Sequence, residues 1–494
     1  MPHTKDIRFL KELQDFFCED QKASEVIIDL FKGFYICKAA QRFNEVKEKG
    51  FQPVHVLLIL LIIPFLGMCS IYALYKSGYS FLTEMEKDVY YRLKNNEKID
   101  WRKLLYSFVK RSIKIIVKQS ETDSEHNSSS SPRCLIIDDT TFSKRGKKLE
   151  FIGKVFDHVQ NSYVLGFKTL VAGFWDSESF LPLDFSFHHE KGKNKKRPFG
   201  LKRSELMKRY SKKRDKELPG YKREKELSTS KIKNGLLMIK RAVKNGFIAD
   251  YVLVDKWFLS EMLIKEIRKI RKGIIHVIAA CKMDKRRYEY QGKECTAKEI
   301  LKSVKHKKKR SRKLKAFYIE LEVMYKGIPL KLFFNKFSGR KNWELLVTTH
   351  TSLNFQKAIE IYSLRWTIEV FFKESKQYLN FGKSQSQDFD AQIADTTVSM
   401  IQYIMLSLQK RLTSYETIGG IFRNIQKEMM ELTLAEKLWK LFLELQQELA
   451  EIFEIDFQEL IQKILYNPNY EANILKTLRI WNEKSNYECF NKAA

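Results

Sequence analysis

The stretch CLIIDDT, residues 134–140, decides how the chain is expected to fold. It is a short apolar run that ends in two aspartates, and a second run of this kind, ADYVLVD, follows at residues 249–255. Short apolar runs bounded by polar residues are typical of buried strands. The sequence therefore predicts two buried strands that each end in acidic residues.

The segments around these two strands alternate between strand and helix patterns. Strands are predicted at 163–175, 180–189, 274–282 and 343–349, and helices at about 229–245, 258–273 and 353–379. Alternation of this kind is typical of an α/β domain with a mixed sheet. The stretch 283–340 interrupts the alternation, because it combines β-like pieces with a dense run of basic residues.

The first part of the chain, up to residue 119, is predicted to be mostly helical, and a Ser-rich linker at 120–133 separates it from the strands. The apolar stretch VHVLLILLIIPFLGMCSIYALY, 54–75, is long enough to span a bilayer. However, Pro64 and Gly67 interrupt it, and two buried helices broken near Pro64 explain it as well. A membrane anchor is the alternative that the structure has to test.

The charge of the chain favours a polyanionic partner. The sequence has 90 Lys and Arg against 60 Asp and Glu, a formal net charge of +30. Basic runs at 191–225 and 302–315 are predicted to contact a nucleic-acid backbone, although a membrane surface or ribosomal RNA fits the charge alone. The seven scattered cysteines, without metal-binding spacing, favour a reducing cytoplasm.

Acidic residues at the ends of neighbouring strands favour a divalent cation. Carboxylates at the ends of such strands meet at one edge of the sheet, and a later helix can add a third. Carboxylates this close repel one another unless a cation neutralises them, and oxygen ligands suit Mg²⁺ or Mn²⁺. Two such ions can catalyse phosphodiester chemistry.

The third acid is predicted in YSLRWTIEVFFKESK, residues 362–376. On a helix, Tyr362, Arg365, Glu369 and Lys376 fall within an arc of roughly 60°. This stripe is either a surface ladder of ion pairs or one wall of an active site.

The motifs DDTT at 138–141, VDKW at 254–257 and Y-(2)-R-(3)-E-(6)-K at 362–376 resemble the DDE transposases of bacterial insertion sequences. More narrowly, they are similar to the insertion-sequence-four family with its Y-R-E-K signature, over residues 55–400. The resemblance implies a ribonuclease-H-like mixed-sheet core in which Asp139, Asp255 and Glu369 hold two Mg²⁺ ions, with Mn²⁺ as a substitute.

Asp139 is preferred over Asp138 because the first acid of that family directly precedes the Thr pair. Strand alternation agrees if Ile137 faces the core, since Asp139 then shares its face. The resemblance also implies that Arg365 and Lys376 contact DNA phosphate, with Tyr362 beside them. The flanking Trp257, Trp343 and Trp366 are expected in the core rather than as platforms for a DNA base.

The resemblance implies a DNA transposase that binds terminal inverted repeats, cleaves DNA strands and joins the 3′ end to target DNA. It would act in the bacterial cytoplasm, at the nucleoid, as a homodimer in a synaptic complex and without a membrane. The domains would be a DNA-binding region at 1–119, a catalytic core at 134–282 and 341–400, a β-rich basic insertion at 283–340, and an oligomerisation region at 401–494.

Three alternatives stay open at this point. The first is a catalytically inactive or repurposed DNA-binding relative, and the second is a host nuclease that shares the core. The third is a membrane-associated basic protein built around residues 54–75.

Overall fold

The computed structural model describes residues 50–77, 85–122, 131–412, 417–427 and 429–430. The helices predicted before residue 50, residues 123–130 of the linker and most of the predicted oligomerisation region lie outside these residues.

Twelve strands of the described chain form one mixed sheet. The strands are β1 Cys134–Ser143, β2 Gly153–Asp157, β3 Ser162–Trp175, β4 Phe180–His188, β5 Tyr251–Val254, β6 His276–Cys281, β7 Arg287–Tyr290, β8 Lys293–Thr296, β9 Lys309–Ser311, β10 Ala316–Tyr325, β11 Ile328–Phe337 and β12 Glu344–Thr348. Their order in the sheet is β2-β3-β1-β5-β6-β12-β11-β10-β7-β8, with β4 paired to β3 and β9 paired to β10. The predicted α/β class with a mixed sheet is confirmed.

Helices surround this sheet. They are α1 Pro53–Ile62, α2 Ile71–Lys76, α3 Lys87–Lys94, α4 Trp101–Thr122, α5 Arg203–Met207, α6 Pro219–Glu226, α7 Lys231–Lys244, α8 Glu261–Lys269, α9 Ala297–Val304, α10 Phe355–Ser363, α11 Trp366–Tyr378 and α12 Phe389–Leu412.

The centre of the sheet brings the two predicted acidic strands side by side. Strand β1 is antiparallel to β3 and parallel to β5, and Ile137 lies opposite Val254 in the parallel pair. Strand β6 continues the parallel arrangement beyond β5. Since neighbouring strands lie about 4.8 Å apart, the residues that follow Ile137 and Val254 are placed next to each other. These residues are Asp138 and Asp255.

Strand β1 is covered on both faces. The side chains of Cys134, Leu135, Ile136 and Ile137 are at most 1% exposed, so apolar residues occupy both faces of the strand. Alternation therefore cannot show which aspartate faces the site. Ile137 faces α7, because its Cδ1 atom lies 3.4 Å from the position of a Cβ built on Gly235 of that helix.

The helix predicted at 353–379 is two helices, α10 and α11, and the prediction of one continuous helix is wrong. Between them, the amides of Leu364 and Arg365 donate to the carbonyls three residues earlier, at 3.1 and 3.0 Å. The amide of Thr367 does the same at 3.1 Å, and its hydroxyl also donates to the Leu364 carbonyl. These tighter bonds locally replace the α-helical pattern, and Arg365 stands at the start of α11.

The apolar stretch 54–75 forms α1, a single 3₁₀ turn at Ile63–Leu66 and α2, as the break near Pro64 predicts. Gly67 ends the turn in the left-handed region with φ of 72°. The Gln402 side chain of α12 donates to the carbonyl of Leu61 at 2.9 Å. None of the helices in the described residues is long and apolar enough to cross a membrane.

Helix α12 is buried along most of its length and packs against α4, α1 and α3. An ion pair of 3.0 Å between Lys94 and Asp395 joins α3 to it. Helix α12 also packs against β4, so α1, α3 and α4 share a core with the sheet through this helix.

The stretch 283–340 extends the same sheet rather than forming a second one. Its strands β10 and β11 pair along ten residues each, and β11 pairs with β12, which in turn pairs with β6. The basic run 302–315 covers the end of α9, strand β9 and the turn into β10.

Candidate active site

Asp138 and Asp255 lie side by side where β1 and β5 meet, and the pairing of the parallel strands places them there. Asp255 is half-buried and follows directly after β5. It does not cap the next helix, because the Ser260 hydroxyl accepts the amide of Leu263 at 3.2 Å and fills that role. Asp255 therefore has no capping role in α8.

Arg365 joins Asp138 to Glu369. Its Nη1 atom lies 2.8 Å from Asp138 Oδ2, and its Nη2 atom lies 2.6 Å from Glu369 Oε1. The guanidinium Nε atom is buried and has no hydrogen-bond partner among the described residues. The Arg365–Glu369 pair is thus an i,i+4 contact at the start of α11. The same guanidinium also contacts Asp138 in the sheet.

The environment of Asp138 disfavours its charge. The pKa of Asp138 is raised to about 7, mainly by burial and also by the nearby charges of Asp139 and Asp255, while the charge of Arg365 opposes the increase. A carboxyl group that is held in this way gains from a nearby cation. The site therefore has more negative charge than Arg365 alone compensates.

Asp139 lies on the opposite face of β1, as expected for adjacent residues of a strand. Its carboxylate forms an ion pair with Lys231, at the start of α7. Asp139 thus faces the same helix as Ile137. The contacts group Asp138, rather than Asp139, with Asp255 and Glu369.

Lys376 and Tyr362 flank the acidic residues on the helical side. The Lys376 ammonium donates to Thr140 Oγ1 at 2.6 Å and to the Thr141 carbonyl at 3.2 Å, so it reaches β1 just beyond the aspartates. The Tyr362 hydroxyl lies 3.5 Å from the carbonyl oxygen of Val254. Burial raises the pKa of Tyr362 to about 12, so its hydroxyl stays protonated.

The donor set of the site suits a divalent cation, although the side chains are not arranged around one point. Within the described residues, no three His, Cys, Asp or Glu side chains are grouped so that they could hold a metal ion. Instead, the Arg365 guanidinium takes the position of a cation between Asp138 and Glu369. A metal ion bound by these carboxylates would have to replace it.

Two of the tryptophans predicted in the core are on the surface, and that prediction is wrong for them. Trp257 is 61% exposed and Trp366 is 62% exposed, while Trp343 is half-buried. Both exposed rings follow residues of the site, Asp255 and Arg365. Lys282 covers one of them, with its Nζ atom 3.2 Å from the centre of the Trp257 ring.

Lys231 and Lys168 were not predicted from the sequence. Lys231 is one of many basic residues near α7, and nothing in the sequence relates it to Asp139. Lys168 carried a signal, since it is the single charged residue in the apolar strand YVLGFKTLVAGFW at 163–175.

Residues 228–404 of the chain match the family model described as transposase DDE domain. The match includes Asp255 and the whole stretch 362–376, and it begins after Asp138 and Asp139. None of the curated proteins compared with the chain matches it. The part of the chain from residue 228 to residue 404 is therefore similar to a transposase DDE domain.

Proposed function

We propose that this protein is a metal-dependent DNA transposase of the insertion-sequence-four family with a ribonuclease-H-like core. The observation that supports this most is the grouping of three acids, in which Asp138 lies beside Asp255 and is joined to Glu369 through Arg365. Asp138 and Asp255 end two parallel strands, and Arg365 joins Asp138 to Glu369 on α11. Two of these three acids lie within the segment that matches the transposase DDE domain.

Asp138, Asp255 and Glu369 would hold the metal ions, which are Mg²⁺ or, as a substitute, Mn²⁺. When bound, such ions polarise a phosphodiester and lower the pKa of a water or 3′-hydroxyl. The resemblance of the sequence favours Asp139 as the first acid, whereas the contacts favour Asp138. Asp139 already has a cationic partner in Lys231 and lies across the strand from the other acids.

Arg365 and Lys376 would contact the DNA strand at the site of cleavage. The planar guanidinium suits two-point binding of a phosphate, and the ammonium supplies a compact charge. Tyr362 lies below the Arg365 guanidinium, with 5.8 Å between the guanidinium carbon and the ring centre. Tyr362 would position Arg365, and its hydroxyl would donate a hydrogen bond to the DNA strand.

Asp138 and Glu369 contact both terminal nitrogens of Arg365, so a DNA phosphate bound at these nitrogens would compete with the two carboxylates. Arrival of a phosphate would therefore draw the guanidinium away from the two carboxylates and leave them free for metal ions. DNA binding and metal binding would favour each other at this site. This exchange follows from the two short ion pairs of Arg365.

The partner would be double-stranded DNA, at the terminal inverted repeats and at the target. The net charge of +30 on the protein would attract it. The protein would act as a homodimer in a synaptic complex, in the bacterial cytoplasm at the nucleoid. The region 1–119 would bind the repeats, the insertion 283–340 would approach the ends of the element, and 401–494 would serve assembly.

The proposal is tested with a supercoiled plasmid that carries this gene together with the DNA flanking it on both sides. We expect the native protein to nick the plasmid in Mg²⁺ at the borders of the element and to be inactive in EDTA. Glu369→Gln should reduce nicking by at least about a hundredfold, because it removes a metal ligand from the reacting centre.

The matched control is Glu360→Gln, on α10, whose carboxylate pairs with Lys313 at the surface. It should nick like the native protein. Absence of any Mg²⁺-dependent nicking by the native protein would refute the enzymatic proposal and favour a DNA-binding relative without activity. Nicking without preference for the borders would favour a nuclease.

A further inference from the structure

A second group of basic side chains lies in a cleft of about 450 Å³ beyond the acidic site. The cleft is lined by the end of β1, by β3 and by the residues that follow α11. Lys168 and Lys376 both contribute to its walls, together with Thr140 and Thr141.

The two ammonium groups converge on one threonine. Lys168 Nζ donates to Thr141 Oγ1 at 3.0 Å, and Lys376 Nζ lies 3.2 Å from the carbonyl oxygen of the same residue. Thr141 and Lys168 are directly paired residues of β1 and β3, so the antiparallel register holds this contact in place.

Lys168 is only 3% exposed and has no carboxylate within ion-pair distance in the described part of the chain. A buried ammonium is normally paired with a carboxylate, because its desolvation is costly. Burial and the neighbouring Lys168 also lower the pKa of Lys376, while Asp157 opposes this. An anion in the cleft would offset the positive charge of both groups.

The acids that face the cleft already have partners. Asp139 pairs with Lys231 on α7. Asp157 accepts the backbone amides of Val159 and Gln160, at 2.9 and 3.4 Å, and so holds the turn after β2. The exposed Lys383 adds a further positive charge to the cleft wall. In the described part of the chain, neither acid forms an ion pair with Lys168 or Lys376.

We propose that this cleft is a binding site for one phosphodiester of the DNA strand, held jointly by Lys168 and Lys376. The proposal rests on the proposed function and adds to it a phosphate contact from β3, on the far side of Thr141 from the acidic site. A phosphodiester has several acceptor oxygens, so both ammonium groups can donate to it at once. Lys168 would thereby fix the register of the strand that enters the site.

The test is DNA affinity without metal, measured in EDTA by fluorescence anisotropy with a duplex of the DNA that flanks the gene. A KCl series gives the dependence of the affinity on salt. Lys168→Met removes the charge and keeps the length of the side chain. We expect it to bind about tenfold more weakly, because a charged hydrogen bond is lost. The slope against log salt should fall by about 0.9, the value for one phosphate contact.

Lys144→Met is the matched control. Lys144 is also buried, but it donates to the carbonyls of Gly382 and Ser384 at 2.8 and 2.9 Å and does not line the cleft. Its salt slope should equal that of the native protein. If circular dichroism shows that Lys168→Met does not fold, Lys168→Gln decides, because glutamine can still donate to Thr141.

Two results would overturn the proposal, and they differ in what they say about the function. If the native protein binds the duplex and the neutral Lys168 variant keeps both affinity and slope, the cleft is not a phosphate site and the proposed function stands. If the native protein binds no DNA, the proposed function fails and the phosphate site fails with it.

Discussion

The charge state of Asp138 makes the stability of the folded protein depend on pH. The pKa of this carboxyl group is raised to about 7 in the folded protein, and it is about 4 in an unfolded chain. Between these values the folded state holds the extra proton, so the free energy of unfolding falls as the pH rises through this window. Above about pH 7, the stabilisation that comes from the extra proton on Asp138 is lost.

Asp138→Asn should remove this component. Urea unfolding in EDTA at about pH 5 and about pH 8 measures it as the difference in the free energy of unfolding between the two values. We expect a smaller decrease for Asp138→Asn than for the native protein, whereas the surface variant Glu360→Gln should show the native decrease. Equal decreases for the native protein and Asp138→Asn would show that Asp138 is ionised throughout this range.

The bridge made by Arg365 predicts competition between this residue and metal ions. Arg365→Ala frees the carboxylates of Asp138 and Glu369, so Mn²⁺ should bind about tenfold more tightly in the absence of DNA. Isothermal titration calorimetry with Mn²⁺ measures this. Lys373→Ala, which removes an exposed positive charge from the same helix, serves as the control. Unchanged or weaker Mn²⁺ binding by Arg365→Ala would contradict the exchange.

At the residue scale, the sequence predicted Asp255, Arg365, Glu369 and Lys376 as neighbours in space, and the structure brings them to one sheet edge with Asp138. The sequence favoured Asp139 over Asp138 as the first acid, whereas the contacts favour Asp138, since Asp139 pairs with Lys231 and Asp138 with Arg365. When a strand is covered on both faces, apolar residues occupy both faces, so the pattern does not show which side chain points to which face. Only the packing shows that Asp139 faces α7 and that Asp138 faces α11.

At the scale of elements, a buried ion cluster holds the start of α12 to the sheet. The Arg214 side chain is 0% exposed, and its guanidinium lies 2.6 Å from Glu150 and 3.0 Å from Asp390. Lys212 also contacts Asp390, at 2.8 Å. The cluster thereby joins the loop before β2, the segment 212–214 and α12.

Arg214→Met should destabilise the protein by about 3–5 kcal/mol, because it leaves buried carboxylates without their partner. Urea unfolding measures the loss. The control is Lys265→Met on α8, whose pair with Glu261 is exposed, and its cost should be below about 0.5 kcal/mol. A loss below about 1 kcal/mol for Arg214→Met would mean that water or another cation replaces the guanidinium.

Most strands and helices could be predicted because they are apolar runs of the right length between polar segments. The break between α10 and α11 could not, since Leu364 and Arg365 are both good helix formers. The hydrogen-bond pattern changes at this break. The ion pairs of Arg365 with Asp138 and Glu369, which lie on two different elements, stabilise the break. Such contacts depend on the tertiary structure and have no local pattern.

At the scale of the whole molecule, the sheet is larger than the sequence indicated. The insertion 283–340 joins the central sheet through β11 and β12, so its strands continue the same sheet that carries the acids. The sequence predicted its β-rich and basic character, but not its pairing partner. Strand pairing between distant segments depends on packing that a single sequence does not display.

The central claim is that Asp138, Asp255 and Glu369 act as one metal-binding set. Its most direct test compares Mg²⁺-dependent nicking of the flanking DNA by Asp138→Asn and Asp139→Asn. We predict that Asp138→Asn is as inactive as Glu369→Gln, and that Asp139→Asn keeps most of the native rate. An inactive Asp139→Asn together with an active Asp138→Asn would contradict the claim and make Asp139 the first ligand.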